Sequence, residues 1–136
     1  MSKSKRHVDT VFLIDDSEID LFIQKRFLEV CEFSENLVMF RSADDAFTSL
    51  RGATAKEAPD VIFLDLNMPE SDGFYFLENF MKLSPPVVDK SKIVVLSSSE
   101  SSKDRDYAFS FPNVIHFIPK PLKQSDIEDL KKVFTV

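Results

Sequence analysis

The chain has little of what would mark several large protein classes. It contains one cysteine, Cys31, so no internal disulfide can form. That usage fits a reducing compartment, with Cys31 as a packed helix residue. There is no tryptophan, and the 14 phenylalanines point to a phenylalanine-dependent core without naming a function. Positive charge is scarce: 17 Lys and Arg against 23 Asp and Glu leave a net charge of -6, which argues against a nucleic-acid partner. A small phosphorylated ligand stays open, because such a site needs only one well-placed cation. The opening MSKSKRHVDT has no apolar core of a signal peptide. No run approaches the roughly 18 apolar residues that span a bilayer. The expectation is a cytoplasmic protein with no membrane partner. No repeat and no linker long enough to separate two domains interrupts the 136 residues. They read as a single domain over 1–136, with a core at about 8–134 and no fused output domain.

What is present is a recurring alternation. Five short apolar runs centre on Val11–Ile14, Leu37–Phe40, Val61–Leu64, Ile93–Leu96 and Val114–Ile118. The first, third and fourth are continuous, as expected of parallel strands covered on both faces. Helical spacing follows each run. Ile19, Phe22, Ile23, Phe27 and Val30 share one face of a helix at about 18–31. Ala43, Ala46, Phe47 and Leu50 mark a second helix, and Phe74, Leu77, Phe80 and Met81 a third. Helices at about 101–110 and 123–134 carry Tyr107 and Ala108, and Ile127, Leu130 and Phe134. These stripes predict core packing. Ser84-Pro85-Pro86-Val87-Val88 is expected to close the third helix, because consecutive prolines cannot continue it. The serine-rich stretch 97–102 reads as a loop. The fold class is therefore α/β: a doubly wound (βα)5 parallel sheet with helices on both faces, for which two strand orders are plausible, the flavodoxin-like 2-1-3-4-5 being the common five-stranded one.

Ligands in such sheets bind beyond the carboxyl ends of the strands. The polar residues found there are Asp15 and Asp16 after the first run, Asp65 after the third, Ser97 after the fourth and Lys120 after the fifth. In the 2-1-3-4-5 order the first and third strands are neighbours, which puts three carboxylates in one crevice. Two carboxylates about 4 Å apart repel by about 4 kcal/mol at an effective dielectric of about 20. A hard divalent cation removes that penalty, and Mg²⁺ suits one or two carboxylates with waters and a phosphoryl oxygen. Asp15 and Asp16 could instead simply cap the first helix. Asp65 is the candidate nucleophile, able to form an acyl phosphate in line. Lys120 offers a point charge to phosphoryl oxygens, and the Lys120–Pro121 bond is a candidate cis peptide. Ser97 offers a hydroxyl. Asp65-Leu66-Asn67-Met68-Pro69 leads to Gly73, where the turn into the third helix is expected to need a glycine. The main-chain carbonyl of Asn67 is placed to complete a metal shell.

Asp15-Asp16, Asp65 with Asn67-Met68-Pro69 and Gly73, Ser97 and Lys120-Pro121, in that order, resemble the receiver domain of two-component response regulators. The likeness covers about residues 8–134. It implies that Asp65 is the phospho-acceptor and that Asp16, Asp65 and the Asn67 carbonyl hold Mg²⁺, with Asp15 acting through water. It also implies that Lys120 binds the phosphoryl group, that Ser97 moves toward it, and that Phe117 is a switch aromatic whose ring turns inward. The implied donor is a phosphohistidine on a sensor histidine kinase or histidine phosphotransfer protein. The readout passes to an unknown downstream effector or through a homodimer, from the face built by the helix at 101–110, the strand at 114–118 and the helix at 123–134.

This chain departs from the family's pattern in three places. Ser97 lacks the methyl of a threonine, and Phe117 cannot make a tyrosine hydrogen bond. Phe111-Pro112-Asn113 stands where glycine is frequent, and Asn113 is expected to preserve a left-handed turn. Pro112 is expected to shorten the preceding helix. His116 lies within a strand run and His7 in the tail, so neither is read as a phosphorylated histidine. An aspartyl-phosphate hydrolase would need an acid at position 67, where the chain has Asn67. A phosphorylation-independent scaffold would have no use for three crowded acids. The expected function is a signalling switch, not an enzyme acting on external substrates.

Overall fold

The computed structural model describes residues 8–68, 73–98 and 101–134; His7, Pro69 and the middle of the serine-rich stretch lie outside them. The apolar runs become strands β1 (Val8–Ile14), β2 (Ser34–Phe40), β3 (Val61–Asp65), β4 (Lys92–Ser97) and β5 (Val114–Pro119). They form one sheet in the order β2-β1-β3-β4-β5, and every neighbouring pair is parallel. The connecting helices are α1 (Glu18–Val30), α2 (Ala43–Leu50), α3 (Gly73–Phe80), α4 (Pro85–Lys90), α5 (Ser102–Phe109) and α6 (Gln124–Phe134).

Alternation along the strands divides the core in two, because successive side chains point to opposite faces. Phe12, Ile14, Ile62, Leu64, Ile93 and Val95 pack against α2, α3, α4 and α5 through Phe47, Phe76, Val87 and Ala108. Val11, Leu13, Val61, Phe63, Val94 and Leu96 pack against α1 and α6 through Leu21, Leu28, Ile127 and Leu130. Burial on both faces accounts for the continuous apolar runs of β1, β3 and β4. Cys31 caps α1 and is buried. None of the described helices is long and apolar enough to cross a membrane.

Four local expectations are corrected. The stripe Ile19, Phe22, Ile23 and Val30 faces solvent, while Leu21, Gln24 and Leu28 turn inward. At about 100° per residue the two sets lie on opposite sides of α1. The helix carries two apolar stripes, and periodicity alone could not choose between them. Secondly, Pro85 and Pro86 open the extra helix α4. Proline is tolerated in a first helical turn, whose N–H groups have no intrahelical acceptor. Thirdly, Asn113 does not take a left-handed conformation; Glu32 is the one non-glycine residue with positive φ among the described residues. Asn113 is buried instead, and its amide donates to the Val88 and Ser91 carbonyls at 2.7 Å each. It ties the start of β5 to the end of α4. Finally, the serine-rich stretch is not simply a loop: Ser97 ends β4, and Ser101 caps α5 by accepting from the Asp104 N–H at 3.3 Å. Pro112 does follow a short α5, which ends at Phe109.

Candidate functional site

Strand ends supply the site. Asp15 and Asp16 follow β1, Asp65 is the last residue of β3, Ser97 the last of β4, and Lys120 follows β5. Because β1, β3 and β4 are neighbours in the sheet, residues far apart in sequence meet at one edge. One carboxylate oxygen from each of Asp15, Asp16 and Asp65 lies within 4.8 Å of the others. Asp15 and Asp65 are buried, and Asp16 is half-buried.

The acids do not cap α1. That role falls to Ser17, whose hydroxyl accepts from the Asp20 N–H at 3.2 Å. Asp15 is held by three donors: the Ser17 N–H at 2.9 Å on Oδ1, and Gln24 Nε2 at 3.1 Å and Lys120 Nζ at 3.0 Å on Oδ2. Three donors engage three of the carboxylate's roughly four lone-pair sites and leave one on Oδ1 open.

Lys120 crosses from the β5 side into the acidic crevice. Its Nζ lies 3.0 Å from Asp15, 2.9 Å from Asp20 and 3.4 Å from Asp65. Its backbone is fixed as well, since the Lys120 N–H donates to the Ser97 carbonyl at 2.9 Å and the Lys120–Pro121 bond is cis. Burial alone would lower the pKa of the ammonium. Hydrogen bonds that the ammonium donates to Asp20 and Asp15, and the charges of Asp15 and Asp65, outweigh burial and raise it. Lys120 is therefore a fixed cation.

Asp65 is pushed up from 3.8 to about 6, chiefly by burial. The Asn67 N–H, donating to Oδ1 at 3.0 Å, pulls the other way; Asp15 adds to the rise and Lys120 opposes it. One lysine thus leaves the buried acids short of positive charge. Hard oxygen donors on two strand ends, with an excess of negative charge, fit a Mg²⁺ ion.

The turn after Asp65 is held by two side-chain features. The Asn67 side chain accepts from the Ser97 hydroxyl at 3.0 Å, the Ser98 N–H at 2.9 Å and the Ser98 hydroxyl at 3.2 Å. Gly73 sits where a Cβ would lie 2.7 Å from the Leu66 Cα, and its N–H donates to the Leu66 carbonyl at 3.1 Å. Gly73 has no positive φ. Close approach of backbones is what excludes a side chain there. Phe117 on β5 is half-buried, its ring centroid 6.5 Å from that of Phe109 on α5. His116 is on β5, away from the acidic crevice.

Asp20, Gln24 and Ser98 escaped the reading of the sequence. Ser17-Glu18-Ile19-Asp20 matches a helix-start pattern, a local role that gives no sign of a partner 100 positions away. Gln24 carried no signal, because its inward position depends on which side of α1 meets the sheet.

Comparison with known proteins agrees with this geometry. The response regulator receiver domain family model matches residues 11–132. A two-component response regulator of Oryza sativa subsp. indica is 31% identical over 131 residues, covering 93% of this chain and 55% of that protein. A protein-glutamate methylesterase/protein-glutamine glutaminase of Shewanella sp. (strain MR-4) is 31% identical over 111 residues, covering 82% of this chain and 29% of that protein. The chain thus spans about half or less of the length of these relatives. A solved response regulator receiver protein from Dyadobacter fermentans DSM 18053 superposes with a TM-score of 0.81 at 33% identity, covering 93% of this chain and 98% of that one. The strand order, the carboxyl-end acids and these matches converge: the chain belongs to the response regulator receiver domain family of two-component signalling.

Proposed function

We propose that the chain is a phosphorylation switch in which Asp65 accepts a phosphoryl group from a phosphohistidine on a sensor histidine kinase or histidine phosphotransfer protein. The observation that carries this reading is Lys120 inside the acidic crevice, within 3.4 Å of Asp65. It is a fixed cation beside a carboxylate that burial keeps poorly neutralised. Asp65 Oδ1 is occupied by the Asn67 N–H and Lys120, so the attacking atom is Oδ2. A bond forms from Oδ2 to phosphorus while the P–N bond breaks. The imidazole keeps that electron pair and leaves neutral, from a donor ring protonated at its other nitrogen. The Lys120 ammonium then holds a phosphoryl oxygen, and the Ser97 hydroxyl donates to another. Water later attacks phosphorus, releasing phosphate and restoring the carboxylate.

Asp16, Asp65 and the Asn67 main-chain carbonyl would hold Mg²⁺, with Asp15 acting through water. Bound there, Mg²⁺ would neutralise charge that builds on the phosphoryl oxygens. No external substrate is turned over in this scheme, and position 67 supplies an amide where a phosphohydrolase needs an acid.

The donor docks, in this reading, on the solvent face of α1. Ile19, Phe22 and Ile23 are exposed there. Ile23 also lines a cavity with Asp20, Gln24, Lys120, Pro121 and Leu122, beside the crevice. The signal leaves through α5, β5 and α6, where Phe117 meets Phe109 and where Tyr107 and Phe109 are exposed. Its receiver is an effector protein or a second copy, in the cytoplasm. Incubation with acetyl phosphate and Mg²⁺, followed by intact mass, tests the core of the scheme. Wild type should gain one phosphoryl group and Asp65→Asn none; an unmodified wild type contradicts it.

A further inference from the structure

The Asn67 side chain has a second relation to the site, separate from its carbonyl. Its Oδ1 faces Ser97 Oγ at 3.0 Å, Ser98 N at 2.9 Å and Ser98 Oγ at 3.2 Å. The Ser98 N–H can only donate, so the amide atom facing it must be the oxygen. An amide oxygen carries no proton, so the Ser97 hydroxyl must be the donor in the 3.0 Å contact. Three donors on one carbonyl oxygen exceed its two lone pairs, and the longest contact, from the Ser98 hydroxyl, is the weakest.

A serine hydroxyl has a single proton. While that proton is given to Asn67 it cannot be given to a phosphoryl group on Asp65. We propose that the Asn67 amide is a latch on the off state: it competes with the phosphoryl group for the Ser97 proton and holds the β4–α5 segment at Ser97 and Ser98 in its resting place. This rests on the reading of Asp65 as the acceptor. It makes Asn67 a positioning residue whose side chain opposes activation, while its backbone lies in the turn that follows the acceptor. A ligand shifts an equilibrium only by its different interaction with the two states, and the latch bond is made in one of them.

Removing the latch should therefore favour phosphorylation. A net hydrogen bond of ordinary strength corresponds to a change of about threefold to tenfold. The experiment is a double-mutant cycle on the rate of phosphorylation by acetyl phosphate at saturating Mg²⁺, where altered metal affinity drops out. Asn67→Ala should raise the rate about threefold to tenfold in the wild-type background and clearly less in the Ser97→Ala background, where only the Ser98 contacts are left to lose. A general loosening of the turn would act equally in both. Amide exchange at Ser98, measured without phosphodonor, should quicken in Asn67→Ala. Asn67→Leu, close in size but without an acceptor, should repeat both results and serves in place of Asn67→Ala if that variant is unfolded. Equal effects in the two backgrounds, or a slower rate in Asn67→Ala, overturn the latch. If wild type accepts a phosphoryl group but the cycle shows no coupling, the latch alone fails. If wild type accepts none, the Asp65 reading fails and takes the latch with it.

Discussion

Replacing Asp65 with asparagine should stabilise the metal-free protein near neutral pH. Asp65 is 3% exposed, and its carboxyl is pushed from 3.8 to about 6. Neighbouring charges oppose one another. At an effective dielectric of about 20, repulsion from a carboxylate at 4.8 Å, the outer limit for the Asp15 and Asp16 oxygens, is about 3.5 kcal/mol, and attraction to Lys120 at 3.4 Å is about 5 kcal/mol. Burial decides the outcome. A raised carboxyl pKa means that the folded chain holds the proton more tightly than the unfolded chain. Below about pH 4 both states are protonated and there is no penalty. Between about pH 4 and 6 the unfolded chain loses its proton first, so stability falls as pH rises. Above about pH 6 the penalty is complete, and the difference between 3.8 and about 6 corresponds to about 3 kcal/mol.

Asparagine removes the buried charge and keeps the shape. Its Oδ1 can still accept the Asn67 N–H, and Lys120 retains Asp15 and Asp20. In EDTA at about pH 7.5, Asp65→Asn should be about 1–3 kcal/mol more stable than wild type, a rise of about 3–10 °C in Tm. At about pH 4 the gain should vanish. Saturating Mg²⁺ should narrow it from the wild-type side, because binding at 100 times Kd stabilises the native state by about 2.7 kcal/mol. Urea melts at both pH values, with EDTA and with Mg²⁺, measure all of this. A variant no more stable than wild type in EDTA at about pH 7.5 would refute the assignment of a strained, buried charge to Asp65.

Mg²⁺ affinity should weaken as pH falls below about 6, approaching a tenfold loss per pH unit, because Asp65 must give up its proton to bind. Titration at several pH values checks this, and a flat profile down to about pH 5 would count against it. Gly73→Ala brings a Cβ to 2.7 Å from the Leu66 Cα and should lower stability by about 1–3 kcal/mol. It should also weaken Mg²⁺ binding, since the displaced segment adjoins Asp65; a neutral result in both assays contradicts the close-approach reading. Asn113→Ala should lower stability by about 2–3 kcal/mol through the Val88 and Ser91 carbonyls it leaves unsatisfied, and Asn113→Gly should be no better. A glycine variant as stable as wild type would instead favour a left-handed turn there.

Much of the fold was legible because the signals that encode it are local. Short continuous apolar runs, each followed by a stretch with helical spacing, are what parallel strands buried on both faces look like, and the polar residues just after such strands lie at the sheet's carboxyl edge. That was enough to nominate Asp15, Asp16, Asp65, Ser97 and Lys120. The family pattern then ordered the strands, and the observed sheet agrees. Helix α4 was missed because two prolines read as a stop, although the same prolines are suited to a start.

Other features depended on partners that only folding supplies. α1 has two apolar sides, and its orientation follows from Leu21 and Leu28 joining the core while Gln24 meets Asp15. Asp20 became a partner of Lys120, 100 positions away, only once α1 was docked. Asn113 looked like a turn residue until its buried amide found two carbonyls. The amino-acid sequence by itself determined which groups line the sheet edge, since strand ends and residue chemistry are properties of short segments. Tertiary structure decided how those groups are charged and held. The pKa of Asp65, the grip of three carboxylates on Lys120 and the tie from Ser97 to Asn67 all depend on burial and distance between segments that meet only in the folded chain.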